Sequence, residues 1–156
     1  LGTAGPLGMI PRPDQDVLVM NGDILTDLSY GKFLAKHAAS KAALTIATYS
    51  KHVQMSLGVL ERDGERIIGY REKPELTFPV SMGVYAISPH VFATIQRGVA
   101  LDIPTLVLRL IAAGEKVMSC DHEGIWLDIG RHEDYALAAE TVEKERAKLF
   151  PGPAAP

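Results

Sequence analysis

The sequence predicts an α/β fold built on a mixed, mostly parallel sheet, and three observations carry that prediction. Strand-like apolar runs alternate with segments of helical period along the chain. Two apolar runs end in an aspartate beside a glycine, Val17-Leu18-Val19-Met20-Asn21-Gly22-Asp23 and Ile125-Trp126-Leu127-Asp128-Ile129-Gly130. Open α/β sheets place their ligands at the carboxyl ends of such strands. Between them, Asp63-Gly64 joins two further strand-like runs, and this pair is a hairpin signal.

Taken in order, residues 17–20 are four consecutive apolar residues, which suits the fully covered centre of a parallel sheet. Tyr30, Phe33, Leu34, His37 and Ala38 then follow the i, i+3, i+4, i+7, i+8 spacing of an amphipathic helix, with Ser29 placed to cap it. Residues 44–49 read as a second strand, rich in apolar and β-branched side chains. This strand–helix–strand unit is expected to cross over with the right hand. The runs at 57–61 and 66–70 flank the hairpin turn, and 81–87 is a strand ending at Ser88-Pro89, where a short helix begins. Ile103, Leu106, Val107, Leu110 and Ile111 form one helical face stopped at Gly114. Short strands follow at 117–120 and 125–127, and a last helix runs over about 132–149.

The chain has 156 residues, enough for one domain with a sizeable core, and its 47% hydrophobic and 22% charged content is that of a soluble globular protein. A net charge of −3 with scattered basic residues gives no nucleic-acid footprint. No segment has the length of a membrane span and no signal-peptide pattern opens the chain, so no membrane partner is expected. The single cysteine, Cys120, excludes an internal disulfide framework and fits a reducing compartment, with the cytoplasm as the expectation. The five histidines show no ligand spacing, so no zinc site is assigned. Residues 1–150 are expected to form the domain, and the proline-rich residues 151–156 a disordered tail.

The motifs each admit a plain reading beside a chemical one. Asp23 and Asp128 either open turns beside their glycines or hold a hard cation; two strand-end carboxylates far apart in sequence suit Mg²⁺ shared with substrate phosphates. Gly2-Thr3-Ala4-Gly5-Pro6-Leu7-Gly8 is either a surface turn or a loop whose bare backbone lets a flat ligand approach. In Gly69-Tyr70-Arg71-Glu72-Lys73-Pro74, Glu72 and Lys73 are either a solvated edge-strand pair or, if Pro74 ends the pleat, an acceptor for sugar hydroxyls beside a cation for a phosphate. Gly83, within Ser81-Met82-Gly83-Val84-Tyr85, marks either a bulge or a ligand lying against the backbone.

In this order, the segments resemble those of the sugar-phosphate nucleotidyltransferases, the family that makes NDP-sugars. Leu1-Gly2-Thr3-Ala4 is similar to the family's base- and ribose-contacting loop, Asn21-Gly22-Asp23 to its first metal motif, and Asp128-Ile129-Gly130 to its second. Glu72-Lys73-Pro74 resembles the segment that holds the sugar and its phosphate, Gly83 lies in the strand beside the sugar ring, and Gly58 matches a glycine near the sugar hydroxyls. The resemblance covers the chain up to Phe150. Mannose- and heptose-1-phosphate guanylyltransferases look closest.

The resemblance implies a Rossmann-like three-layer α/β/α domain and transfer of NMP from an NTP to a hexose or heptose 1-phosphate, with release of pyrophosphate. It implies Mg²⁺ on Asp23 and Asp128, Lys73 on the sugar phosphate, Glu72 on sugar hydroxyls, Gly58 and Gly83 shaping the sugar pocket, and Gly2 and Thr3 on the nucleotide side. The NTP and sugar 1-phosphate are the implied partners, and a homo-oligomer is compatible with it. The family's Gly-rich, Arg-bearing loop and following Pro-Lys pair have no counterpart here, so the fold is expected without its first strands, and the isolated chain without turnover. A non-catalytic nucleotide-sugar-binding relative, a thymidylyl- or uridylyltransferase, and a nucleotide-sugar glycosyltransferase remain alternatives; the last normally carries a D-x-D pair, which Asn21-Gly22-Asp23 is not.

Overall fold

The computed structural model describes residues 1–130 and 132–150; the tail expected over 151–156 lies outside the described residues. The strands are β1 (Val17–Met20), β2 (Ile24–Thr26), β3 (Leu44–Gln54), β4 (Val59–Asp63), β5 (Arg66–Arg71), β6 (Glu75–Ile87), β7 (Val117–His122) and β8 (Trp126–Asp128). The helices are α1 (Tyr30–Ser40), α2 (Pro89–Phe92), α3 (Ile103–Ala112) and α4 (His132–Leu149), with a 3₁₀ turn over Gly5–Met9.

Strands β1, β6, β3 and β7 form the central sheet in that order, while β2–β8 and β4–β5 are separate two-stranded ribbons. β3 is parallel to β7, and β6 runs antiparallel to both β1 and β3. Three of the four central strands therefore share one direction, and the sheet is mixed. The expectation for β1 needs correction on two counts: it is an edge strand of the described sheet, and its partner is antiparallel. The reason lies in what an apolar run reports. Val17 and Val19 pack against one layer and Leu18 against the other, so both faces carry packing. These three are only partly buried, Met20 is exposed, and one edge has no strand beside it among the described residues. Continuous hydrophobicity records covered faces, not neighbours.

The period-2 alternation of the strands divides the core in two. On one side Leu44, Tyr85 and Ile87 pack against Val91, Phe92, Ile103, Leu106 and Leu110 of α2 and α3. On the other, Ala47, Met82, Val84 and Ala86 meet Phe33 of α1 and Trp126 of β8. Burying each large apolar side chain contributes roughly 1.5–3 kcal/mol. This is the three-layer arrangement that the family resemblance implies. Ile111, read as part of the α3 face, is instead 55% exposed. Ser29 occupies the N-cap position of α1, yet its hydroxyl makes no cap hydrogen bond.

β3 and β6 extend well beyond the predicted cores of 44–49 and 81–87, because their outer halves pair residue for residue from Thr48↔Ser81 to Gln54↔Glu75. The ladder slips between Ile46 and Thr48, opposite Gly83, which adopts φ +75°. An L side chain is strained in that conformation, so glycine at this bulge is a backbone requirement. The hairpin forms as predicted, with Gly64 at φ +58° in its turn.

Candidate active site

The β2–β8 ribbon brings the two aspartates together. Ile24 pairs with Asp128, and the Ile129 N–H donates to the Asp23 carbonyl at 2.8 Å. Both side chains are exposed, and neither carboxylate has a hydrogen-bond or ion-pair partner among the described residues. Gly130 leaves room for one of them: a Cβ there would lie 3.1 Å from Asp128 Oδ1. An exposed carboxylate without a protein partner is the kind of donor Mg²⁺ takes, with water and phosphate oxygens completing its coordination.

The ribbon is held against the central sheet at defined points. Trp126 donates its indole N–H to the Met82 carbonyl at 3.0 Å and packs on Tyr49 with ring centroids 5.2 Å apart. Asp27, just after β2, accepts from the Ile125 N–H at 2.7 Å and lies 2.8 Å from His122 Nε2 at the end of β7. Gly83 joins the same region. The Asn21 N–H donates to the Gly83 carbonyl at 2.9 Å, and Asn21 Nδ2 stands 2.8 Å from where a Gly83 Cβ would be. The bulge on β6 and the Asn21-Gly22-Asp23 turn are thus one packed unit.

A second group forms where β5 turns into β6. β5 ends at Arg71, so Glu72 and Lys73 lie in a bend rather than a regular pleat, and Lys73 takes φ +43°. Gln54 pins that bend by donating its side-chain amide to the Lys73 carbonyl at 2.6 Å, and the Met55 N–H donates to the Pro74 carbonyl at 3.0 Å. Glu72 pairs with Tyr70, not with Lys73: the Tyr70 hydroxyl donates to Glu72 Oε2 at 2.8 Å. That hydrogen bond, with a smaller contribution from burial, raises the Tyr70 hydroxyl above its usual pKa. Gly58 completes the group, since a Cβ at this position would fall 2.1 Å from Tyr70 Oη and 3.1 Å from Glu72 Oε2.

Gly2 and Thr3 stand apart from both groups. The Thr3 N–H donates to Asp102 Oδ1 at 3.0 Å, and the Thr3 hydroxyl accepts from the Ile103 N–H at 2.9 Å. Thr3 therefore supplies the cap of α3 that Asp102, in the N-cap position, does not make with its own side chain. Gly2 sits at φ +70° with a would-be Cβ 2.6 Å from the Leu101 carbonyl oxygen, so the backbone contact with that segment requires glycine. A cavity of about 590 Å³ lies between the end of α4 and the β2–α1 connection, and the Glu72 group does not line it.

The chain matches the family model described as Nucleotidyl transferase over residues 7–145. It belongs to the nucleotidyl transferase family. A Sulfolobus acidocaldarius protein provisionally named a mannose-1-phosphate guanyltransferase is 31% identical over 97% of this chain and 47% of its own length. The mannose-1-phosphate guanyltransferase of Yarrowia lipolytica is 28% identical over 86% of this chain and 39% of its own. The chain thus spans about half or less of the length of these curated relatives. Among solved structures, one provisionally named a glucose-1-phosphate thymidylyltransferase, from Bacillus anthracis in complex with sucrose, superposes with a TM-score of 0.65 at 20% identity, covering 89% of this chain and 60% of that one. HddC from Yersinia pseudotuberculosis complexed with GMP-PN gives a TM-score of 0.59 at 22% identity, over 90% and 62% of the two chains. These likenesses establish the α/β nucleotidyl transferase fold.

Within this family member, sequence reasoning passed over three residues that the geometry brings forward. Tyr70 carried a signal: it lies two positions before Glu72 and so on the same face of an extended chain. Trp126 stood inside the second aspartate motif, but its carbonyl partner on β6 is a tertiary fact. Asp27 gave no local sign, because its partners, Ile125 and His122, are about a hundred residues away.

Proposed function

We propose that this chain forms part of the catalytic domain of a sugar-1-phosphate nucleotidyltransferase, with guanylyl transfer to mannose 1-phosphate as the favoured reaction. The observation that carries the reading is the pairing of β2 with β8, which brings the backbones of Asp23 and Asp128 together, each with an exposed carboxylate. Family membership and the names of the relatives support the reaction class and the favoured sugar.

In this reading an oxygen of the sugar 1-phosphate attacks the α-phosphorus of the NTP, the bond to the β-phosphate breaks, and pyrophosphate leaves. The attacking phosphate is already anionic, so the protein's work is alignment and charge neutralisation rather than proton removal. Mg²⁺ held by Asp23 and Asp128 would screen the phosphate charges. Lys73 binds the sugar phosphate, and Glu72 accepts from sugar hydroxyls with its orientation fixed by Tyr70. Gly58 and Gly83 would shape the sugar pocket through their neighbours, Gly58 by admitting the Tyr70 hydroxyl and Gly83 by admitting the Asn21 side chain. Gly2 and Thr3 would meet the nucleotide through their loop, although the Thr3 groups that bond Asp102 and Ile103 are already engaged. A buried lone cysteine is compatible with work in the cytoplasm.

The test is pyrophosphate release by the protein that carries this chain, supplied with Mg²⁺, mannose 1-phosphate and each NTP in turn. Turnover greatest with GTP supports the full reading. Turnover with another NTP corrects the base, and tight binding of a nucleotide sugar without turnover with any NTP would favour the non-catalytic alternative.

A further inference from the structure

We infer that Gln54 is a positioning residue for the transfer reaction: it holds Lys73 in a left-handed backbone conformation and so presents that lysine to the phosphate of the sugar 1-phosphate. The inference rests on the proposed function. Lys73 adopts φ +43°, and two features of the sequence oppose that value. Lysine carries a Cβ, which crowds the left-handed conformation. It also precedes Pro74, whose ring pushes the preceding residue toward extended backbone. The other described positions with positive φ are glycines, except Lys41, the C-cap of α1, where that conformation is common. Lys73 ends no helix, and its ammonium has no hydrogen-bond or ion-pair partner among the described residues. Strained residues of this kind persist only where their surroundings over-determine them, and they cluster where ligands bind.

The end of β3 is what over-determines Lys73. The peptide joining Lys73 to Pro74 has no N–H, so its carbonyl is its only hydrogen-bonding group. Gln54, the last residue of β3, donates its side-chain amide to that carbonyl at 2.6 Å. This bond fixes the rotation about the Cα–C bond of Lys73, because that rotation carries the carbonyl. Gln54 is itself held by pairing with Glu75 in the β3–β6 ladder, and the neighbouring Met55 N–H holds the Pro74 carbonyl at 3.0 Å. Gln54 and Lys73 are both exposed, so water could serve the carbonyl equally well. The bond therefore sets a conformation rather than rescuing a buried group. In a continuous pleat Glu72 and Lys73 would leave opposite faces of the chain. A left-handed residue breaks that alternation, as an acceptor for sugar hydroxyls working beside a cation for the phosphate requires.

The experiment compares Q54L, K73M and the double variant with the unmutated protein that carries this chain, and adds K73A and K73G with and without Q54L. Pyrophosphate release gives kcat and KM for mannose 1-phosphate and for the NTP that is turned over. Q54L is expected to raise KM for mannose 1-phosphate about three- to tenfold, the scale of one neutral hydrogen bond, while kcat and KM for the NTP stay within about twofold. In K73M, which has no ammonium left to place, Q54L should add less than about twofold. An unchanged KM for mannose 1-phosphate in Q54L, equal rises for both substrates, or a full further rise in K73M would overturn the inference, and turnover by the unmutated protein would leave the proposed function standing. Melting temperatures supply an arm that needs no ligand. Glycine accepts a positive φ and alanine is strained there, so K73G should melt above K73A, and Q54L should narrow that gap. A gap that is absent, or equal with and without Gln54, overturns the hold of Gln54 on Lys73. If no NTP is turned over, the proposed function fails, and the melting comparison still decides that hold.

Discussion

Tyr70 holds Glu72 by a 2.8 Å hydrogen bond between its hydroxyl and Oε2, and the space its hydroxyl needs exists because position 58 is glycine. Tyr70 is 62% exposed, so burial does not explain this contact. Its consequence is to fix one rotamer of a carboxylate that would otherwise sample several. Tyr70→Phe should raise KM for the sugar 1-phosphate several-fold while leaving KM for the NTP and the melting temperature unchanged. Gly58→Ala should reproduce that pattern, because the new methyl displaces the Tyr70 hydroxyl, the mobile end of its side chain. Steady-state kinetics with each substrate varied in turn, on Y70F, G58A and the double variant, checks it. Losses that add fully in the double variant would show that the two residues act independently.

Asp128→Asn keeps the shape of the side chain and removes its charge at an exposed position. Turnover should fall on the order of a hundredfold or more, the scale of losing one preorganised electrostatic group. Stability should change little, since the carboxylate has no protein partner to lose among the described residues. Activity measured across a Mg²⁺ titration, beside urea unfolding, separates the two effects. Turnover near that of the unmutated protein at saturating Mg²⁺ would remove Asp128 from the metal site.

Much of this was legible in the sequence, and the limits have a common cause. The helical period of Phe33 and His37, and of Leu106 and Leu110, is a local property, and both helices form with those residues inside. The Asp63-Gly64 turn is likewise local. The apolar run at 17–20 indicated a strand packed on both faces but overstated its burial, and no local pattern states that β6, sixty residues later, pairs with it antiparallel. The paired aspartates were visible as motifs, whereas β2, the three-residue strand that joins them, has too few residues to show a period. Gly2 and Thr3 looked like a ligand loop because small residues permit close approach; the approach the structure displays is to the start of α3.

Asp27 accepts hydrogen bonds that fasten the ribbon carrying Asp128, so its loss should be felt at a distance. Asp27→Ala leaves the Ile125 N–H without its partner and the His122 ring without its shortest one in a half-buried site. A stability loss of about 1–3 kcal/mol is expected from that alone. The Mg²⁺ concentration for half-maximal activity should rise as well, since the ribbon sets where Asp128 stands relative to Asp23. Trp126→Phe, which frees the Met82 carbonyl but keeps most of the ring packing, should shift the Mg²⁺ dependence in the same direction with a smaller stability cost. An unchanged Mg²⁺ dependence in a destabilised D27A would mean that the ribbon keeps its geometry without this anchor.

His37 gives the fold a pH dependence whose sign follows from its surroundings. Its side chain is fully buried, with Nδ1 2.7 Å from Thr45 Oγ1 and Nε2 3.1 Å from Ser88 Oγ. The single Ser88 hydroxyl proton is directed to Asp16 or to the Ala42 carbonyl, so Ser88 accepts from Nε2–H, and Thr45 donates to Nδ1 when the ring is neutral. Burial favours that neutral form. Desolvation lowers its pKa below the ordinary histidine value, and the nearby Asp16 carboxylate offsets this only in part. In the unfolded chain His37 takes up a proton near pH 6.5, whereas in the fold it does so only at lower pH. Its contribution to stability is thus complete above pH 6.5 and declines as the pH falls from there toward the folded value, at a slope of at most about 1.4 kcal/mol per pH unit. Urea unfolding between pH 8 and 5, for the unmutated protein and for His37→Gln, isolates this contribution from those of the other histidines. H37Q should be less stable at pH 8, and the gap should narrow on acidification. A gap that stays constant or widens toward pH 5 would mean that His37 is protonated in the fold, held by Asp16.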